Sequence, residues 1–301
     1  MNNQTEEKKS LTKSELYDKH YKTILTIPVI IMVLSLAYLA YFYSQNGDIM
    51  LKDISLSGGS TITIQGDIDS NAIESAIKSQ FPDLSIRKLT DIGTGKSLAL
   101  ILETSAQPDE IKPALEKYLG YKLTDENSSF EFTGPSLSES FYKQLLIALL
   151  ISFILMSIVV FFSFKTFIPS LAVIFAAFSD IVMPLALIDF LGIKISAAGI
   201  SAFLMLIGYS VDTDILLTSR ALRKKGGNLN QRIFGAFKTG SFMTLTALIA
   251  VLPAFFIISG LPDSFRQIFF ILALGLFADL INTWLTNASI IKWYCVKRRI
   301  E

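Results

Sequence analysis

Six apolar runs, each long enough to cross a bilayer, constrain this chain more than anything else in it. They are Thr23–Tyr43, Leu145–Phe164, Phe167–Ile188, Ile195–Thr218, Thr239–Ser259 and Ile268–Ile291. A hydrocarbon core needs about 20 apolar residues in helical form, and within it every backbone polar group must be satisfied inside the segment. The runs therefore predict six membrane helices. Pro169, Pro184 and Pro253 fall inside them, which membrane helices tolerate. Thr23–Tyr43 exceeds a signal peptide's apolar region and no small-residue cleavage site follows, so it reads as an uncleaved first span. Tyr38, Tyr41 and Tyr43 suit an interfacial belt at its far end.

Between the first and second runs the chain changes character. Residues 44–142 are mixed in polarity and carry soluble periodicities. Ser60–Ile64 alternates as a strand, Asp69–Phe81 reads as a helix with Asp69 or Ser70 as its cap, and Leu84–Asp91 and Ser97–Glu103 read as strands joined by a Gly-containing turn at Ile92–Lys96. Pro108–Leu119 reads as a second helix despite Pro113, and Phe130–Thr133 as a last strand. The order βαββαβ is that of the ferredoxin-like split unit. The expected layout is an N-terminal tail (1–22), span one (23–43), an extracytoplasmic α+β domain (44–142), a five-helix bundle (143–291) and a C-terminal tail (292–301).

Orientation follows the distribution of Lys and Arg in short loops. One side holds the basic N-terminal tail, Lys165, a loop with Arg220, Arg223, Lys224, Lys225, Arg232 and Lys238, and a tail with Lys292, Lys297, Arg298 and Arg299. The other side's short loops hold only Lys194 and Arg266. Both termini are thus expected in the cytoplasm, in a multi-pass protein of the cell membrane. The sequon Asn127-Ser128-Ser129 then falls on the outer face. The chain has one cysteine and one histidine, which excludes an intrachain disulfide, CxxC or His-rich metal sites and a Ser-His-Asp triad. A net charge of +1 gives no reason to expect a nucleic-acid partner. No metal and no bound cofactor are expected.

Two motifs resemble ligand sites and lack their context. Gly95-Lys96-Ser97 imitates the end of a phosphate-binding loop, but Thr90 stands where the first glycine is required and a strand follows instead of a helix. Ser57-Gly58-Gly59-Ser60 reads as a backbone bend into the first strand rather than an anion nest.

The chemistry lies in carboxylates inside the apolar runs. Asp180 sits mid-way along the third, Asp212 and Asp214 in the fourth, within Ile207–Arg220, and Asp279 mid-way along the sixth. Ionisable side chains at such depth are costly and mark relays, ion paths or counter-ions. On a helix Asp212 and Asp214 point about 200° apart, and Asp214 shares a face with Ser210 and Thr218. Asp279, Asn282, Thr283 and Thr286 form one stripe, the pattern of a polar seam between helices. Hydrogen-bonded glue between helices explains the amides and hydroxyls, but Ser, Thr or Asn would serve that purpose without four charges to desolvate. Burial favours the neutral form of a carboxyl, so a proton-linked role is the competing reading. Lys238, at the start of the fifth span, is a candidate modulating base or a snorkelling anchor. An intramembrane aspartyl protease would need Tyr-Asp and Gly-x-Gly-Asp signatures; Ser179-Asp180 and Ser210-Val211-Asp212 match neither.

Laid out in this way, the chain resembles the SecD/SecF family of protein-export membrane subunits, within the RND superfamily, and is similar to its archaeal SecF branch. The resemblance covers nearly the whole chain: one span, a ferredoxin-like domain opening on Leu56-Ser57-Gly58-Gly59-Ser60, then five spans. It is carried most specifically by Ser179-Asp180, where the family usually has His-Asp, and by Ile207-Gly208-Tyr209-Ser210 followed by acidic residues and Arg220. Bacterial members read Asn-Asp where this chain has Asp212-Thr213, so their proton-linked carboxylate aligns with Thr213. Asp212 aligns with the Asp of the related SecD motif. Lys238 stands where bacterial members have arginine, Ser55-Leu56 replaces the usual Asp-Phe, and Asp279-Leu-Ile-Asn-Thr-Trp resembles the archaeal branch.

The resemblance implies a non-enzymatic subunit that works with SecD at a SecY/SecE-type channel. It implies an outer domain that engages unfolded secretory polypeptide, with membrane lipid around the bundle and coupling to an ion, H+ first. Among the four proton-relay candidates, depth and the SecD-like register favour Asp212, with Asp214 pointing elsewhere. A half-size exporter of small molecules and a non-conducting scaffold of the translocase are the alternatives.

Overall fold

The structure, a computed structural model, describes residues 13–91, 94–223, 227–257 and 263–300. The first part of the basic N-terminal tail, residues 92–93 of the expected turn, Lys224, Lys225, Ile258 and Ser259 lie outside the described residues.

The chain begins with α1 (Lys13–Asn46), and a short helix, α2 (Ile54–Ser57), leads into β1 (Gly59–Gln65). Then come α3 (Ser70–Ile77), β2 (Ser85–Thr90), β3 (Ser97–Thr104), α4 (Pro108–Leu119) and β4 (Ser128–Thr133). The four strands form one antiparallel sheet in the order β2-β3-β1-β4, the pairing expected of a split βαβ unit. Alternation explains its packing. Ile62 and Ile64 of β1 and Leu100 and Leu102 of β3 face the helices, where Ile73, Ile77, Ile111 and Leu115 close a core of their own. The expected cap at Asp69 is present, accepting from the N–H groups of Asn71 and Ala72. The Gly-Gly stretch is a bend. Gly58 ends α2, and Gly59 enters β1 at φ +140°, so close to β3 that a Cβ there would lie 2.3 Å from the Thr104 carbonyl oxygen. The Asn127 side chain of the sequon closes the turn before β4, accepting from Thr124 N–H and donating to the Lys122 carbonyl.

Five long helical stretches follow: α5 (Pro135–Phe164), α6 (Phe167–Phe190), α7 (Ala197–Leu222), α8 (Leu229–Ile257) and α9 (Asp263–Ile281). The last continues through a π-helical turn (Asn282–Asn287) into α10 (Ala288–Arg298). Among the described residues, six helices are long and apolar enough to cross a membrane. Of the six, α6 and α7 have the largest share of buried residues, and α7 packs against α5, α6, α8 and α9. At Gly275 on α9 a Cβ would meet the Leu206 side chain of α7 at 2.2 Å, so a small residue sets this close crossing.

Helices run beyond the apolar runs that the sequence marks. The helix α5 begins at Pro135, ten residues before the run Leu145–Phe164, and it packs against α2. The described ends of the chain flanking the bundle are also helical. Lys292 is buried on α10, ion-paired to Asp18 and 3.9 Å above the Tyr17 ring, which fastens the start of α1 to the bundle. A long aliphatic stem with a charged tip packs readily into such a place.

The α+β domain is tied to the bundle by backbone. Ile195, between α6 and α7, donates to the Leu51 carbonyl and accepts from Asp53 N–H, while Leu51 N–H donates to Asp189. Asp48 takes the Tyr142 hydroxyl at 2.5 Å and the Lys52 ammonium at 2.8 Å, joining the end of α1 to α5. Burial pushes its carboxyl up, but these two bonds and the Ile49 N–H outweigh that and hold it below its ordinary value.

Candidate functional site

Four helices converge mid-way along their lengths on a knot of polar side chains. Asp180 enters from α6, Ser210, Thr213 and Asp214 from α7, Thr244 from α8, and Asp279, Asn282, Thr283 and Asn287 from α9 and its π turn. All nine are buried, at 1% exposure or less. The α7 contributions sit at i, i+3 and i+4, which a helix places on one face, and that face is turned into the bundle.

Each carboxyl has defined partners. Asp180 accepts from the Ser210 hydroxyl and, at 2.7 Å, from the Asn282 amide. Asp214 Oδ1 lies 3.0 Å from Thr283 Oγ1 and 2.7 Å from Asn287 Nδ2. Asp279 Oδ1 lies 2.9 Å from Thr213 Oγ1 and 3.0 Å from Thr283 Oγ1, and its Oδ2 is 3.1 Å from Thr244 Oγ1. Asp214 Oδ2 faces no donor among the described residues. No Lys or Arg among the described residues forms an ion pair with any of the three, and no group of residues there is arranged to hold a metal ion.

Counting hydrogens shows what the arrangement can do. Thr283 Oγ1 touches both Asp214 and Asp279, and Thr213 Oγ1 touches both Asp279 and the Ser210 carbonyl at 2.8 Å. Each hydroxyl has one hydrogen and accepts with its lone pairs. At any moment Thr283 can therefore give its one hydrogen fully to only one of the two carboxyls, and Thr213 must choose between Asp279 and the Ser210 carbonyl, so these bonds can exchange partners without the side chains moving apart.

The sequence candidates separate accordingly. Asp180, Asp214, Asp279, Asn282 and Thr283 come together. Asp212, favoured from its register, does not join them: it is exposed on the opposite side of α7, on a stripe with Met205 and Gly208. The 200° separation of the two α7 carboxylates holds, but the bundle lies on Asp214's side. Lys238 is exposed on α8 and makes no hydrogen bond or ion pair among the described residues. Thr286 is buried with no partner for its hydroxyl among the described residues, and Asn287 reaches Asp214 in its place. At α-helical winding Asn287 would stand about 80° from Asp279. A π turn rotates less per residue and carries it into line. Thr244 had no signal in its own span beyond being polar there.

A small split-βαβ domain between the first and second of six candidate spans, with a buried carboxyl cluster at the bundle centre, defines a multi-pass membrane protein with an inserted α+β domain. More narrowly, the chain belongs to the SecD/SecF family of protein-export membrane proteins, whose C-terminal profile (Protein export membrane protein SecD/SecF, C-terminal) matches residues 115–297. It is 34% identical over 278 residues to the protein-export membrane protein SecF of Methanolacinia petrolearia, covering 92% of this chain and 94% of that one. Its similarity to the SecF of Methanocaldococcus jannaschii is 33% over 287 residues, covering 94% and 99%. Among solved structures it is similar in fold to SecDF from Thermus thermophilus, described as a translocon-associated membrane protein, at a TM-score of 0.69 and 15% identity over 95% of this chain. It also resembles a super-membrane-facing form of SecDF, at a TM-score of 0.62 and 18% identity. The chain spans about 40% of the SecDF chain's length.

Proposed function

We infer that this chain is a SecF-type subunit that assists translocation of unfolded polypeptide through a SecY/SecE-type channel, and that proton passage through the carboxyl cluster drives it. The observation that carries the proton coupling is Thr283 between Asp214 and Asp279. A single hydroxyl touching two buried carboxyls passes a proton from one to the other by exchanging donor for acceptor. A change in the cluster's proton count alters which bonds join α7, α8 and α9, and so biases how these helices pack. A membrane potential of 100 mV supplies about 2.3 kcal/mol per charge crossing, enough to shift a two-state element. The basic loops and ends of the chain support an orientation with both termini in the cytoplasm and the α+β domain outside.

A partner half of SecD type follows from exposure. Asp212 stands on an exposed stripe within a membrane span, where lipid would leave its charge unsolvated; a second six-span unit, or water held between the two, would cover it. The relatives' names and the chain's 40% share of the SecDF chain support the same pairing.

The test is gradient-driven export in membrane vesicles containing this chain with its SecD-type partner and the channel. Asp214→Asn, Asp279→Asn and Asp180→Asn should each remove the stimulation by an imposed proton gradient and leave the unstimulated rate intact. If stimulation persists in all three variants, the cluster is interhelical glue and the chain is a scaffold.

A further inference from the structure

Between the sheet and the membrane bundle lies a cleft of about 470 Å3 that the proton cluster does not use. Its roof is the helix-free face of the sheet, with Arg87 and Glu103 ion-paired to each other. Its floor is the Phe255–Phe270 pair, ring centroids 5.5 Å apart, at the domain-side ends of α8 and α9. Lys194 and Arg266 stand at its mouth, both exposed, and neither forms an ion pair among the described residues. They are the two basic residues of the short loops on this side of the membrane. Asp53 also borders the cleft, without an ion pair among the described residues, so with Arg87 and Glu103 paired the described lining carries two cations against one carboxylate.

The two cations are held in register. Gln267, next to Arg266, accepts from the N–H and hydroxyl of Ser196 at 2.7 and 2.6 Å and donates to the Lys194 carbonyl at 2.6 Å. The Arg266 guanidinium lies 4.9 Å over the Phe255 ring. Beside the floor, Phe256 and Phe265 turn outward, 70% and 53% exposed, where acyl chains run. A ligand suited to this place has an anionic head between two cations and an apolar body along aromatic rings. The volume is within the range of small-molecule sites, about 300–1,000 Å3. Strand addition by a polypeptide is the weaker fit, because the free edge of the sheet at this end, β2, carries exposed Lys88, a residue type that blunts edge pairing.

We propose that this cleft binds the phosphate headgroup of an anionic phospholipid from the leaflet on the α+β side, with Lys194 and Arg266 on the phosphate and Phe255 and Phe270 under its glycerol end. The lipid would brace the α+β domain against the bundle across this gap. Each charge near the headgroups contributes on the order of 1 kcal/mol, which is about five-fold in affinity.

The experiment uses the full chain in detergent, titrated with short-chain phosphatidylglycerol, phosphatidylcholine or inorganic phosphate, with bound lipid read by native mass spectrometry and stability by thermal unfolding. Phosphatidylglycerol is expected to bind and raise the unfolding temperature where phosphatidylcholine does not. Lys194→Gln and Arg266→Gln should each weaken that binding about five-fold and together about twenty-five-fold, with Lys117→Gln, far from the cleft, as the unaffected control. Both cations are exposed, so the variants should unfold normally without lipid. The proposal is overturned by equal binding of the two lipids or by undiminished binding in the double variant. It is equally overturned if inorganic phosphate alone gives the variant-sensitive stabilisation, or if an unfolded polypeptide displaces the lipid.

Discussion

At the scale of single residues, Thr283 is where the proposed proton transfer is put to the test. Its hydroxyl is shared by two carboxyls that form no ion pair among the described residues, so its removal separates transfer from burial. Thr283→Val should reduce gradient-driven export roughly ten-fold, the consequence of losing about 1.4 kcal/mol of coupling. It should also lower stability by about 1–3 kcal/mol, because the facing oxygens lose a donor. Thr283→Ser keeps the hydroxyl and should restore most of both, as export assays and thermal unfolding would show. Equal losses in the serine and valine variants would mean that the methyl group's packing matters and the hydroxyl does not. Asp180, Asp279 and the Asn282–Thr283 pair were legible as residue types at an unusual depth. Which α7 carboxylate joins them was not, because helical periodicity separates two faces without saying which one is inside.

Secondary-structure elements account for how the site and the domain are held. The π turn adds width at Asn282–Asn287 and brings Asn287 to Asp214; the sequence pattern, read at 100° per residue, chose Thr286 instead. Local sequence placed the α+β elements to within a few residues, since alternation, capping and glycine act over short distances. Gly59 shows how tight the result is. Gly59→Ala puts a methyl group into the Thr104 carbonyl and forces a non-glycine residue to a strained positive φ, which should cost about 1–3 kcal/mol for the backbone alone. Limited proteolysis should then cut within the α+β domain first, with the bundle still protected. The base of that domain is pH-sensitive through Asp48. Its folded pKa lies below the unfolded value of about 3.9, so its contribution is complete above that value and fades as pH falls through the folded one. Hydrogen-exchange protection around residues 47–53, taken relative to the intrinsic rate at each pH, should therefore fall on acidification below pH ~4, and Asp48→Asn should remove that dependence.

Across the whole molecule, α7 is a central helix that still leaves one face exposed. Met205, Gly208 and Asp212 line one stripe of a helix whose opposite side holds the cluster. A charged side chain on a membrane surface is tolerated when another protein or water covers it. Cysteines at positions 205 and 208 should crosslink to a co-expressed SecD-type partner, whereas one at Leu150, exposed on α5, should not. Crosslinks from Leu150 alone would move the partner to the other side of the bundle.

Six spans, a split-βαβ insertion and buried carboxyls are determined by the sequence alone, because hydrocarbon thickness, strand alternation and the cost of desolvating a charge act on any chain with this pattern. Tertiary structure alone decided that Asp214 faces inward and Asp212 outward, that a π turn recruits Asn287, and that Thr244 completes the bonds to Asp279. Those outcomes depend on which helices become neighbours. In a bilayer, where lipid is as apolar as the side chains, neighbours are chosen by close packing and hydrogen bonding between helices, and neither is written in the periodicity of one helix.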